Sequence, residues 1–260
     1  IYTIDLSEGL LLIVKASGEV LRFSLPDITL IGKFQIKPDL WIVKINCDYT
    51  RLASIDKSGN FSVYDIMKDE LKLSAFEKKD VWDVKWADDN PSHYAIMEKQ
   101  RLYICKDDIG DEPVITEGYI CEFKQLFVRC VLLDDIIRLP DGVLNVSNYI
   151  QDVATKSLKE AQEIIGKTNL NEAFDYISAN PHPHLWKLLS EKSLEELNFV
   201  VAEKTFLKLD NYAGLQILKK MQSLDDKQKQ KAEAFAFLNK FDEAEAIYKK
   251  IGRKDLAISM

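Results

Sequence analysis

One spacing constrains this chain more than any other feature, a recurrence every 41 residues across its first half. Trp41 returns as Trp82, Lys44 as Lys85 and Asp48 as Asp89. Ser17-Gly18 returns as Ser58-Gly59. Phe23, Tyr64 and Cys105 fall on the same step, as do Val20, Phe61 and Leu102. Self-similarity at such a period marks a unit that cannot bury its apolar faces alone and must stack on copies of itself.

The fullest copy reads as four short strands. Residues 41–45 alternate, and a polar turn through Asp48 and Tyr49 leads to an apolar run over 52–55. Lys57-Ser58-Gly59-Asn60 is a hairpin turn, because Gly and Asn tolerate positive φ. Residues 61–66 and 70–76 make the last two strands. Four strands in this length is the WD40 blade period, and Tyr64-Asp65 stands where that repeat carries Trp-Asp. Residues 1–40 form a first copy and 83–116 a third, and 119–128 adds one or two closing strands. Propellers typically have at least about four blades, so further blades are expected upstream. Trp41 and Trp82 are expected in the blade-to-blade core, and Asp48 and Asp89 as turn residues.

Past Pro140 the period changes from 2 to 3.6. Pro140-Asp141-Gly142 is a breaker cluster and the expected hinge. Leu158, Ala161, Ile164 and Ile165 share one helical face. Asn169 suits the cap of the next helix. Asn180-Pro181-His182-Pro183 ends that helix, and Pro opens the one after. A helix over 194–209, with Val200 and Phe206 inside, is followed by one over 211–221 and another opened by Asp225-Asp226. Ala202 and Phe206 recur as Ala244 and Tyr248, an offset of 42 residues. A small residue four before an aromatic lets helices approach and interlock, as in a TPR-like hairpin, although the offset exceeds the usual ~34-residue TPR period. The expected fold class is multidomain β plus α: a partial WD40-type β-propeller over 1–139, a linker over 140–152, and a TPR-like α-solenoid over 153–260.

Charge supports the division. Residues 1–140 carry 18 basic and 24 acidic side chains, and 141–260 carry 17 and 18, for a net charge of −7. That balance argues against nucleic acid as the main partner, since phosphate binding needs clustered cations. No apolar run approaches the about 20 residues of a membrane-spanning helix. The chain begins at Ile1 without a signal-peptide pattern, which suggests a piece of a longer protein. Four scattered Cys without a CxxC pair read as a reducing, intracellular compartment.

Chemical motifs are absent from the sequence. It contains no GxxxxGK[ST], GxGxxG or GxSxG. His182 and His184 have no further ligands at zinc spacing and are read as a helix-start turn. Asp107-Asp108 and Asp134-Asp135 are read as solvated acids, because neighbours in sequence face different ways. No catalytic residue, cofactor or metal site is expected. Candidate partner-binding residues are the aromatics Trp186, Phe206 and Tyr212, because aromatics dominate interface hot spots, with a place in the core as the alternative that their helical phase favours. To these is added the one basic run, Lys219, Lys220, Lys227, Lys229 and Lys231, read as an exposed inter-helix turn, with contact to an acidic partner or anionic lipid as the alternative.

A propeller running into a solenoid is the layout of vesicle-coat and ciliary-transport scaffolds. Residues 180–191 (NPHPHLWKLLSE), 202–206 (AEKTF), 210–215 (DNYAGL), 240–248 (KFDEAEAIY) and 253–258 (RKDLAI) resemble the WD-repeat subunits of intraflagellar transport complex A (IFT-A). Residues 119–123 and 131–136 resemble the end of the second propeller in that family. The resemblance implies a non-enzymatic scaffold in retrograde ciliary transport, cilium assembly and ciliary entry of membrane-protein cargo. Its implied partners are other IFT-A subunits, with cargo reached indirectly and peripheral membrane association of the full assembly. Its implied location is the cilium (axoneme and basal body) and the cytoplasm. The alternatives are a coatomer-type vesicle coat subunit, which shares the layout, and more remotely a propeller enzyme.

Overall fold

The computed structural model describes residues 3–7, 9–67, 70–138, 146–167 and 169–259. The chain divides into two compact units, residues 1–155 and 156–260. The expected hinge Pro140-Asp141-Gly142 lies outside the described residues.

The first unit is a series of antiparallel meanders. Strands β1 (Thr3–Ser7), β2 (Leu10–Val14), β3 (Glu19–Ser24) and β4 (Thr29–Gln35) form one four-stranded sheet in chain order. β5 (Leu40–Ile45), β6 (Arg51–Asp56), β7 (Phe61–Ile66) and β8 (Leu71–Lys78) form the next. β9 (Val81–Trp86), β10 (His93–Glu98) and β11 (Arg101–Lys106) make a third, whose outermost place is shared by β12 (Ile109–Gly110) and β13 (Val114–Ile115). The blade period read from the 41-residue recurrence is therefore the sheet period. Gly18 and Gly59 sit at equivalent turns with φ of 81° and 79°, a conformation that strains any side chain with a Cβ.

Blades stack through their apolar faces. Leu10, Leu12, Val14 and Val20 of the first sheet pack on Val43, Ile45, Leu52 and Tyr64 of the second. Ala53, Ile55, Phe61 and Val63 then pack on Val84, Trp86, Tyr94 and Cys105 of the third. The second blade thus buries one face against the first and the other against the third, as stacking of incomplete units requires.

Trp41 departs from expectation. Its side chain is 57% exposed. The pairing of β5 with β6 slips between Leu40 and Ile42, and that of β10 with β9 slips between the partners of Val81 and Asp83. Trp41 and Trp82 are therefore bulge residues at equivalent places, and a bulge turns its residue off the face that alternation assigns. Trp82 nevertheless is half-buried and packs on the core between the third and fourth sheets, edge-on to Tyr119 with ring centroids 5.0 Å apart, and donates its indole N–H to the Lys99 carbonyl at 2.8 Å. The buried blade-core tryptophan is Trp86.

A fourth sheet follows, with β14 (Tyr119–Lys124), β15 (Phe127–Val131) and β16 (Ile150–Ala154) in that order. β16 pairs residue for residue with β15, from Phe127 with Ala154 to Val131 with Ile150. The expected linker over 140–152 is thus corrected at its end, because residues 150–152 belong to the sheet. The reason is a non-local pairing, reached after the short helix α1 (Leu133–Ile137).

The second unit is a run of helices. These are α2 (Lys156–Lys167), α3 (Leu170–Ala179), α4 (Pro183–Glu195), α5 (Phe199–Lys208), α6 (Tyr212–Gln222), α7 (Lys227–Phe237), α8 (Phe241–Lys250) and α9 (Lys254–Ser259). Side-chain caps set most of the starts. Asn169, His182, Asn198, Asn211 and Asp226 each accept a backbone N–H from the first turn of α3, α4, α5, α6 and α7 respectively. The single helix expected over 194–209 is two. Glu195 closes α4, Leu197 turns to φ 56°, and Asn198 opens α5. Val200, placed inside by that reading, is 63% exposed.

The 42-residue recurrence extends to the backbone. Leu197 and Asn239 both have positive φ (56° and 59°), and so do Asp210 and Gly252 (52° and 78°). Ala202 and Ala244 are fully buried, as are Phe206 and Tyr248 to within 2%. Gly214 of α6 lies against the Phe206 ring so closely that a Cβ there would stand 2.5 Å from Cδ1. The small residue lets α6 approach α5.

Candidate functional site

In the blade unit one polar cluster joins the second and third sheets. Arg51 of β6 donates through Nε to Asp65 at 3.0 Å and through Nη2 to both oxygens of Asp108, at 2.7 and 2.6 Å. Ser74 Oγ donates to Asp108 at 2.7 Å, and Tyr94 Oη donates to it at 3.0 Å. The Arg51 guanidinium lies 5.7 Å from the Trp86 ring centroid. Burial alone pushes the Asp108 carboxyl up, but the Arg51, Ser74 and Tyr94 bonds more than offset it and hold the group below the usual carboxylate range. Burial and the facing carboxylate push the Tyr94 hydroxyl well above an ordinary phenol.

Asp108 is thus corrected from a solvated acid to the link between the second and third blades. The side-chain role that the cluster supports is clamping: both Asp108 oxygens are matched to donors, and Asp65 is the residue at the Trp-Asp position of its blade. Asp89, expected as a turn residue, also joins sheets, since it accepts the Gln125 N–H at 2.7 Å. Asp48 does close its own turn, accepting from Thr50 N at 3.1 Å.

A cleft of about 740 Å³ is lined by Asp5, Lys44, Cys47, Lys85, Trp86 and Asp88 among others. Its cations are matched within the chain. Lys44 Nζ stands 2.9 Å from Asp5, and Lys85 Nζ 3.9 Å from Asp88. Burial pushes the Asp83 carboxyl of β9 up, against N–H bonds from Ile120 and Val84. That acid stitches the third blade to the fourth sheet, with Ile120 N at 3.0 Å.

The helical unit holds all the candidate partner-binding residues, and the structure sorts them. Trp186 (5% exposed) and Phe206 (2%) are core residues. Trp186 packs on Phe174 at 5.2 Å between centroids, and Phe206 on Phe237 at 6.2 Å. Their helical phase points them inward, which is the core alternative rather than the surface anchor. Tyr212 is 71% exposed at the start of α6.

The lysines are also divided. Lys220 is tied at 2.7 Å to Glu233, which also accepts from Tyr248 Oη at 3.2 Å, so Glu233 of α7 links α6 and α8. Burial and then Glu233 push the Tyr248 phenol up to about 12. Lys231 lies 5.6 Å from the Phe235 ring centroid. Lys219 and Lys227 are exposed, Lys229 is half-buried, and none of these three forms an ion pair among the described residues. His182 caps α4 by accepting the His184 N–H on Nδ1 at 3.1 Å. Among the described residues no three His, Cys, Asp or Glu side chains gather as a metal site would need.

Comparison with known proteins adds to this geometry. Residues 1–150 match the family described as WDR35 second beta-propeller. The chain is 35% identical over 269 residues to WD repeat-containing protein 35 of Rattus norvegicus, covering 100% of this chain and 23% of that protein. The figures are the same for the Homo sapiens protein of that name. Identity to the intraflagellar transport protein 122 homolog of Xenopus tropicalis is 23% over 265 residues, covering 97% of this chain and 20% of that protein. The chain spans less than a quarter of the length of these curated relatives.

Proposed function

The chain belongs to the WDR35 second beta-propeller family, and from that premise we propose that it is a central part of an intraflagellar transport complex A subunit. It acts there as a non-enzymatic scaffold. In this reading the blades and helices hold sibling subunits together, and the assembled complex serves retrograde ciliary transport, cilium assembly and entry of membrane-protein cargo. Association with membrane is peripheral and belongs to the full assembly, and the protein resides in the cilium and the cytoplasm.

One observation carries the reading: the 35% identity runs through the blades and the helices alike, over the whole chain. The polar clusters agree with it. In the Arg51–Asp108 cluster the donors and acceptors satisfy one another, which suits a clamp between blades rather than a site poised on a substrate.

The test is affinity purification of the tagged full-length protein from ciliated cells, with microscopy of the same tag. Complex A subunits in the eluate and signal at the basal body and axoneme are expected. Their absence, with the tag instead on Golgi membranes beside coatomer, would replace this reading with the vesicle-coat one.

A further inference from the structure

The 42-residue recurrence allows each exposed position of the first helical hairpin to be compared with its own copy. Positions that stacking requires are kept in kind, Ala202 with Ala244 and Phe206 with Tyr248. Exposed positions vary, and at three of them a large apolar or aromatic side chain of the first copy falls on a charge in the second. Val200 (63%), Leu207 (58%) and Tyr212 (71%) are apolar or aromatic, whereas their copies are Asp242, Lys249 and Lys254, all exposed. The same places in the same fold therefore tolerate full charges, and stacking does not demand the apolar side chains.

Val200, Lys204 and Leu207 stand at i, i+4 and i+7 on α5 and form one ridge, about 10 Å long at 1.5 Å rise per residue. The ridge carries the cation Lys204 at its centre and is flanked by the cation Lys208 and the acid Glu203. Lys204 Nζ sits 5.7 Å from the Phe174 ring centroid, and neither Lys204 nor Lys208 forms an ion pair among the described residues. An apolar ridge along a helix packs into the groove of another helix, and helix-in-groove recognition is read through anchors at i, i+3 or i+4 and i+7.

We propose that the Val200–Lys204–Leu207 ridge docks an amphipathic helix of a partner protein, with carboxylates on that helix meeting Lys204 and Lys208. The inference rests on the scaffold reading only in requiring a protein partner.

The test places benzoyl-phenylalanine at Glu203, on the flank of the ridge, in the full-length protein in ciliated cells. Light-induced adducts are then identified by mass spectrometry. A cross-link into a helical segment with apolar residues at that spacing and flanking acids is expected. Its yield should fall at least about tenfold in V200D/L207K, a loss of 1.4 kcal/mol or more in docking. That double variant carries the residues which the second copy already holds, so its melting temperature should match the parent. If it does not, K204E/K208E should lower the yield in the same way. No adduct, an adduct to lipid, to a second copy or to a basic or extended segment, or a yield unchanged in both variants overturns the proposal. Loss of complex A subunits from the unsubstituted protein would instead count against the scaffold reading, while the adduct still decides this one.

Discussion

Replacing Asp108 with Asn tests whether the polar cluster is what clamps the second and third blades. The carboxylate accepts two bonds from Arg51, one from Ser74 and one from Tyr94. Asn keeps one acceptor oxygen and loses the charge. The Arg51 side chain is only 15% exposed, so its lost partner is poorly replaced by water. A hydrogen bond to a charged group contributes about 1.5–3 kcal/mol. Asp65 remains on Nε at 3.0 Å, and Asp108 is itself 23% exposed, so about 2 kcal/mol is the expected loss after screening.

Native-state hydrogen exchange of the whole chain reads that loss directly. Amides of β6 and β11 should exchange about thirtyfold faster, at 1.4 kcal/mol per decade, and helical-unit amides should not change. Asp108→Ala, which strands the Ser74 and Tyr94 hydroxyls as well, should cost more, about 3–4 kcal/mol. The pH dependence has a definite sign. The folded carboxyl lies below its unfolded value, so its contribution is complete above the unfolded value, near pH 4, and is lost as pH falls through the folded one. The Asn variant should lack that acid-sensitive share. Less than threefold faster exchange in Asp108→Asn, or a change centred on the helices, would refute the clamp.

Other outcomes follow from the packing. Gly214→Ala should lower the stability of the helical unit in thermal melts by about 1–3 kcal/mol through overpacking against Phe206, although Ala favours an isolated helix by about 1 kcal/mol. Trp41→Ala should stay within about 0.5 kcal/mol of the parent in urea titration, while Trp86→Ala loses about 3–5 kcal/mol. Burial pushes the Cys105 and Cys130 thiols up to about 12, so iodoacetamide at pH 8 should label exposed Cys121 first and leave these two unmodified until the sheet unfolds.

The comparison between sequence and fold turns on distance along the chain. Blades were legible because the turn at Gly18 and its copy at Gly59, together with the positions that stack, recur at a fixed step. The caps at Asn169 and Asp226 were legible because their partners lie two residues away. Asn198 caps Val201, three residues on, but the apolar spacing of Leu194, Leu197, Val201 and Phe206 runs through it and hides the break. Trp41 was misplaced because a bulge reverses alternation without a local mark. Asp108 was visible as an acid, but its role depends on Arg51, 57 residues away. The lysine run looked uniform until Glu233 singled out Lys220. The α5 ridge needed both copies of the hairpin and their exposure, which no linear reading supplies.

The pairing of β15 with β16 also bears on how the chain is made. The first three sheets fold from neighbouring hairpins, and each can form as soon as its residues leave the ribosome. β15 ends at Val131 and its partner begins at Ile150. At ~5–20 residues per second, synthesis of that gap takes about one to four seconds. Through this interval Phe123, Val128 and Cys130 can already pack on the third blade, while the open edge of β15 waits for its strand. A nascent sheet edge of this kind pairs readily with whatever strand it meets. The blade unit is therefore most vulnerable to misassembly late in its synthesis, just before the helical unit begins to emerge.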